Sequence, residues 1–503
     1  MMSEAGFPLL SLAILLPVLG AIVAGVIGDI KLTRKIALIF AVCELLLTLV
    51  IVMSFNAESG GFQLVEKYPW IPFLNIDYLV GVDGISVLFL PMSALLTITA
   101  ILASWNSVQH NPRLHFALLL ALEGVTIGVF TALDTVLFFL FWELTLPPFF
   151  FLIGLWGIGS HRRDAAMKYT LFMLFGGVPL LLAFIILAIN HSTVVGGVIP
   201  QGLSFSLPVL LETPLPANLQ VLVFFLLLLG FGVKAPLVPF HTWLPTASME
   251  GPTYVTAVLM GLKLGAYGIL RFTMPLAPSA AVEYSWILAI LGAVTLIYGA
   301  LIALQQTNLR RLLAYASISH VGLVVIGIAS LNIQGIQGAV FQLLNFSLVA
   351  SSLILITGMI QHRLGSTEII HLGGMAKVLP RLTCFYFLFT LASIGVPGTS
   401  GFPAELMLII GALKAHASLG IAALVGAVLG AAYMLSFIRR AFFGPITQSV
   451  VSQAQDLSRR EVLLLCAPAL LVLVFGFFPD SVLHINQMAS ERWLAGIINH
   501  QSP

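Results

Sequence analysis

Charge is what this sequence has least of: of 503 residues only 8% are charged, 59% are hydrophobic, and the mean hydropathy is +1.07. A chain so short of polar side chains has no face to offer water, which excludes a soluble globular protein. The little charge there is nearly cancels, to +2. Its basic residues sit in short loops and not in one patch, so neither nucleic acid nor an acidic ligand is indicated. Cysteine is scarce as well. Cys43, Cys384 and Cys466 lie singly in apolar runs with no CxxC spacing, which argues against a disulfide frame, an iron–sulfur cluster or a zinc site and reads as buried packing thiols. No strand-bounded GxGxxG or Walker lysine loop occurs, so nucleotide binding is not expected either. The opening MMSEAGF lacks a basic n-region and a small-residue cleavage site, and the apolar run behind it reads as a retained span, not a signal peptide.

What is present is a succession of apolar runs, each near the roughly 20 residues that cross a bilayer. They cover 7–28, 36–55, 85–105, 116–132, 135–156, 169–190 and 219–244, then 255–274, 284–305, 312–330, 335–360, 382–411, 419–443 and 462–478. Basic residues test the alternation. Of the 22 lysines and arginines, Lys67, Arg271, Lys414 and Arg492 fall on the even-loop side, Lys234 and Lys263 fall inside spans, and all others fall on the odd-loop side. The odd loops are therefore expected in the cytoplasm and both termini on the opposite side. The loop between the second and third spans, GFQLVEKYPWIPFLNIDYLVGVDGIS, has the aromatic and β-branched density of short strands, with Trp70 and Tyr78 suited to the membrane interface.

The chain is organised around 231–245, FGVKAPLVPFHTWLP. It sets Lys234 in an apolar run and breaks that run with Pro236, Pro239 and Pro245. Each proline removes a backbone donor and clashes with the preceding turn, and an ammonium at membrane depth costs at least about 2.5–3.5 kcal/mol on insertion scales. A second broken run, GVPGTSGFPAELML, puts Pro397, Gly398, Gly401 and Pro403 ahead of Glu405. Both breaks occupy the fourth of five spans, in 116–275 and 282–444. Five is odd, so the second repeat is inverted relative to the first. The expected fold is an all-α polytopic membrane protein of about 14 transmembrane helices, with two inverted five-helix repeats, each holding a broken helix. A three-helix region with a β-like loop (1–115) precedes them, and a C-terminal helix and tail (445–503) follow. Glu143 sits mid-span ahead of Pro147 and Pro148, and Lys234 is its natural partner, because a desolvated carboxyl and a desolvated ammonium each hold their charge best beside the other. Glu44 and Glu123 are further carboxyls at membrane depth.

WIPFLNIDYLVGVDGIS, FFLFWELTLPPFFFLIGLWG, GVKAPLVPFHTWLP and LRRLLAYASISHVG, in this order, resemble the antiporter-like membrane subunits of respiratory complex I, nearest to the M-type branch. The resemblance spans nearly the whole chain. It implies a proton-translocating subunit of an NADH:quinone oxidoreductase, with the Glu143 and Lys234 pair at the channel entry and Lys263 as the central relay. Glu405 stands where sister branches use lysine, and His320 completes a row of Glu143, Lys234, Lys263, His320 and Glu405 across the membrane plane. Tyr315, Ser317 and Ser319 are expected to hold linking waters, with Glu123 and His241 as further supporting groups. NADH, FMN, iron–sulfur clusters and quinone are implied for partner subunits, none for this chain, and the partners are other membrane-arm subunits in a bacterial-type inner membrane. The chain departs from the family at Asn345-Phe346-Ser347, where relatives usually carry Asn-His-Gly. A paralogous place in a membrane hydrogenase, a carbon-uptake complex or a multi-subunit cation/proton antiporter therefore stays open.

Overall fold

In hydrocarbon a backbone N–H or C=O has no water to bond, so an apolar run satisfies its polar groups by folding as a helix. The computed structural model describes Ser3 and residues 6–446 and 448–499. Helices α1 (Leu9–Val26) and α2 (Ile30–Met53) form a hairpin, with Asp29 capping α2 through the Lys31 amide. The aromatic loop forms the expected strands, an antiparallel ribbon of β1 (Gln63–Ile71) and β2 (Ile76–Val82) with Tyr68 opposite Tyr78. Glu66 of β1 accepts from the Leu10 and Ser11 amides at 2.7 and 3.2 Å, a carboxylate set on the unpaired amides of a helix N-terminus. Trp70 is exposed, and the Tyr78 hydroxyl pairs with Ser11 Oγ at 2.9 Å.

Next come α3 (Phe89–Ser104), α4 (Pro112–Thr131), and a bent span of α5 (Thr135–Leu144) and α6 (Leu146–Trp156). The bend falls at Thr145, just ahead of the two prolines. Helix α7 (Arg162–Val194) is followed by the short α8 (Leu207–Glu212), and then α9 (Ala217–Lys234) ends on its lysine before α10 (Trp243–Glu250). One further span is made of α11 (Thr253–Gly261), α12 (Leu264–Gly268), a π turn over Ile269–Thr273 and α13 (Met274–Leu276). After α14 (Pro278–Glu283), the second half holds α15 (Ser285–Leu304), α16 (Leu309–Ala329), α17 (Ile333–Leu364), α18 (Met375–Val378), α19 (Pro380–Ser393), α20 (Gly401–Ala415) and α21 (Ala417–Ala441). The chain closes with α22 (Ser449–Ser452), α23 (Arg459–Phe477) and α24 (Asp480–Asn499).

Among the described residues twelve helices are long and apolar enough to cross a membrane. The other two runs read from the sequence fall short of that length. Helix α3 has 16 residues, and the 382–411 run is divided between α19, with 14, and α20, with 15. The division arises where Gly395 and Gly398 take φ of +65° and +89°, a region costly for residues with a Cβ. Thr253–Leu276, α16 and α17 are buried nearly all round, whereas α1, α2 and α23 keep most of their surface outward. The spans carrying Lys263, His320 and Asn345 are thus the inner ones.

One expectation needs correction. All three cysteines are exposed on the outer surface, because hydrocarbon outside a helix accommodates a thiol as readily as a packed interior does. The tail after Phe478 is mostly a helix, α24. Too polar to register as a span, it is anchored by Trp493, whose Nε1 donates to Leu270 O at 2.7 Å.

Candidate functional site

Prolines in 231–245 strip α9 of its regular bonding, and the freed carbonyls find other donors. Leu237 N bonds Gly232 O at 3.0 Å and the Trp243 indole bonds Val233 O at 2.9 Å, while the free Val238 N–H goes to Thr295 Oγ1 at 3.1 Å. Helix α9 therefore ends at Lys234. A Cβ on Gly265 would lie 2.6 Å from the Lys234 carbonyl carbon, so only glycine lets α12 seat directly on this break.

The Lys234 ammonium donates to Thr145 Oγ1 at 2.9 Å and to Trp142 O at 3.4 Å, and lies 3.9 Å above the Trp142 ring. It makes no direct ion pair with Glu143. The cause is helical geometry: Trp142 and Thr145, three apart, share a face, whereas Glu143 lies about 100° round the helix. Its carboxyl turns toward Gly177 of α7, and its buried Oε1 has no hydrogen-bond partner. Glu143 and Lys234 thus flank the same bend from different faces. Thr145 and Trp142 were not foreseen as holders of the lysine, although a hydroxyl beside the proline pair was visible.

Lys263 stands in an unforeseen break. Leu262 and Lys263 leave helical geometry (ψ 99° and 56°) between α11 and α12, without a proline. Its Nζ donates to Ser317 Oγ at 2.6 Å and lies 5.1 Å from the Phe346 ring centroid. His320 also packs edge-to-face on Phe346, with ring centroids 6.3 Å apart. His320 Nδ1 is 3.5 Å from Glu405 Oε1, and its Nε2 is 3.4 Å from the Tyr433 hydroxyl. Phe346, at the position of the usual histidine, therefore packs against both Lys263 and His320. A cavity of about 30 Å³ bounded by Ser317, His320, Gln342, Asn345, Phe346 and Ser393 runs beside it. That space is about the size of one or two waters, and Leu313, Val349 and Leu353 line it beside these polar groups. Asn345 takes a bond from Ser400 Oγ at 2.6 Å and so braces the second break. Glu405 lies under Gly395, where a Cβ would come within 2.6 Å of Oε2.

Lys263, His320 and Glu405 are thus brought together, with Ser317 as a direct partner of the lysine. Ser319 instead bonds Leu296 O at 2.8 Å, a helix-packing contact. Tyr315 and Tyr298 flank His241, with ring centroids 6.3 and 5.0 Å away, and form a separate aromatic group around the histidine. Glu123 and Glu44 are buried, with no hydrogen-bond partner on any carboxylate oxygen. Among the described residues no group of three or more His, Cys, Asp or Glu could hold a metal ion.

Buried titratable side chains at breaks in membrane-depth helices, with a water-sized space between them, define the class: an antiporter-like polytopic membrane subunit. The chain belongs to the NADH:quinone oxidoreductase/Mrp antiporter transmembrane family, whose model matches residues 132–430. It is similar to NADH-quinone oxidoreductase subunit M of Rickettsia typhi, 35% identical over 498 residues, covering 97% of this chain and 99% of that one. NADH-ubiquinone oxidoreductase chain 4 of Chondrus crispus is 35% identical over 495 residues, 98% of each chain. A chain of respiratory complex I from Thermus thermophilus superposes with a TM-score of 0.88 at 28% identity, covering 97% of this chain and 99% of that one.

Proposed function

We propose that this chain is the M-type membrane-arm subunit of an NADH:quinone oxidoreductase and moves protons through a row of Glu143, Lys234, Lys263, His320 and Glu405. It serves the oxidoreductase as a subunit without a redox centre of its own. NADH, FMN, iron–sulfur clusters and quinone belong to partner subunits, which supply the driving free energy as conformational and electrostatic change. Helix α3 and the broken α19–α20 complete about fourteen crossings, and 116–275 and 282–444 are repeats of opposite topology. The odd loops, rich in lysine and arginine, face the cytoplasm.

The observation that carries the reading is the placement of Lys234, Lys263 and Glu405 at helix breaks, with Gly265 seating one break on another. Lys234 is held by Thr145 and Trp142 and makes no direct ion pair with Glu143. Bringing the carboxylate to about 4 Å is worth roughly 4 kcal/mol at an effective dielectric of about 20. That is about a thousandfold in the lysine's hold on its proton. Closing the gap therefore loads Lys234, and opening it releases the proton toward Lys263. Water in the cavity beside Phe346 carries the charge on to His320 and Glu405.

Glu143→Ala and Lys234→Ala are each expected to abolish or severely reduce proton pumping by the assembled complex in vesicles, since each leaves the other group without its charge partner. Normal pumping by either variant, with the complex intact, overturns the proposal.

A further inference from the structure

Helix α23 keeps most of its surface outward, yet it is fixed to the bundle at both ends. At its start Glu461 accepts from Nη1 and Nη2 of Arg363, in the last turn of α17, at 2.8 and 2.6 Å. The same arginine donates to Gln455 O at 2.8 Å. Asp456, the next residue, accepts from the Arg381 and Leu382 amides at 2.8 and 3.1 Å. These are unpaired amides of the first turn of α19, so the segment leading into α23 also holds the start of the helix that runs to the second break.

At its other end α23 meets that break. A Cβ on Gly476 would lie 2.5 Å from Gly398 O and from the Cα and carbonyl carbon of Thr399, and a Cβ on Gly398 would come within 3.2 Å of the Phe477 ring. Only glycine at 476 lets α23 lie on this turn, as only Gly265 lets α12 lie on the break at Lys234. The same turn touches the row. A Cβ on Gly395 would be 2.6 Å from Glu405 Oε2, and Ser400 donates to Asn345 Oδ1 at 2.6 Å.

We propose that α23 is a strut that sets the second break, and that Gly476 and Phe477 are positioning residues for Glu405. The inference rests on the relay reading given above and adds to it the element that keeps Glu405 beside His320. That contact has little to spare: His320 Nδ1 stands 3.5 Å from Glu405 Oε1, already long for a hydrogen bond. A methyl group at 476 would press carbon atoms about 1 Å inside the 3.5–4.0 Å at which they rest. The atoms it meets are backbone and cannot turn aside. Because α23 is pinned through Glu461 and Asp456, the turn takes up part of the shift, and Glu405 moves with it.

The test is NADH-driven proton uptake by the complete complex in inverted vesicles, with the assembled amount measured alongside. Gly476→Ala is expected to assemble and to slow uptake by up to about a hundredfold, the cost of misplacing reacting groups by about 1 Å. Adding Glu405→Asp frees room beside Gly395 and is expected to recover a large part of the rate, a rescue that general damage to packing does not give. Leu470→Ala, on the outward face of the same helix, is expected to pump normally. If Gly476→Ala does not assemble, Phe477→Ala removes the ring beside Gly398 and is expected to slow uptake several-fold; normal uptake by it overturns the strut. Normal uptake by Gly476→Ala, a loss that Glu405→Asp deepens, or an equal loss in Leu470→Ala also overturns it. If Glu405→Gln loses pumping in those cases, the relay stands and only the strut falls; full pumping by Glu405→Gln removes the end of the relay itself.

Discussion

Thr145→Val tests how Lys234 is kept apart from Glu143. Valine keeps the shape of threonine and loses the hydroxyl that receives Lys234 Nζ at 2.9 Å while itself donating to Trp142 O at 2.7 Å. A hydrogen bond from a charged donor contributes about 1.5–3 kcal/mol. Trp142 remains, its ring 3.9 Å from the ammonium and its carbonyl at a long 3.4 Å, but the open position loses its strongest polar contact. The balance between the open position and a Glu143 contact then shifts by roughly 10- to 150-fold toward the contact. A lysine trapped against the carboxylate holds its proton and passes it on slowly. The expected outcome is a clear fall in pumping rate in vesicles, with the complex assembled in normal amount. Thr145→Ser, which restores the oxygen, is expected to recover most of the rate. Pumping at the unsubstituted rate by Thr145→Val refutes the idea that this hydroxyl sets the gap.

The remaining substitutions probe the second half of the row. Glu405→Gln keeps the shape and hydrogen bonds that brace the break but cannot titrate, so it is expected to block pumping without loss of assembly, while Glu405→Asp retains much of it; full pumping by the Gln variant makes Glu405 structural. His320→Ala is expected to be more damaging here than in relatives having a histidine where this chain has Phe346, because no second imidazole stands at 346 to take its place. Equal, mild losses of pumping in both backgrounds make His320 a packing residue.

Where the sequence states a backbone problem openly, the structure can be read from it. The prolines after Lys234 and the glycines and prolines before Glu405 announce both breaks, because a missing donor or a positive φ has few explanations inside an apolar run. The interruption at Lys263 has no such mark. It depends on α12 meeting the Lys234–Ala235 peptide, a contact between residues about 30 positions apart that Gly265 permits without advertising. The Glu143 geometry is hidden for a related reason. Charge alone nominates the carboxylate as the partner of Lys234, but helical period puts Trp142 and Thr145 on the facing side, and which face turns toward α9 is a tertiary fact. The cysteines mislead because an apolar run looks the same whether neighbouring helices or lipid cover it.

Phe346 shows what this combination does to mechanism. Taken from the sequence, it interrupts a row of titratable groups, and a relay of side chains alone fails there. In the folded chain its ring packs against both Lys263 and His320, 5.1 Å from the ammonium and 6.3 Å from the imidazole centroid. The ring face attracts the charged lysine but cannot take a proton from it, so the proposed relay needs water in the small cavity whose wall includes Ser317, the residue Lys263 already touches. In the relay proposed above, Lys263 therefore hands its proton on only where water bridges the ring to His320, and a proton already held on His320 or Glu405 repels the next one.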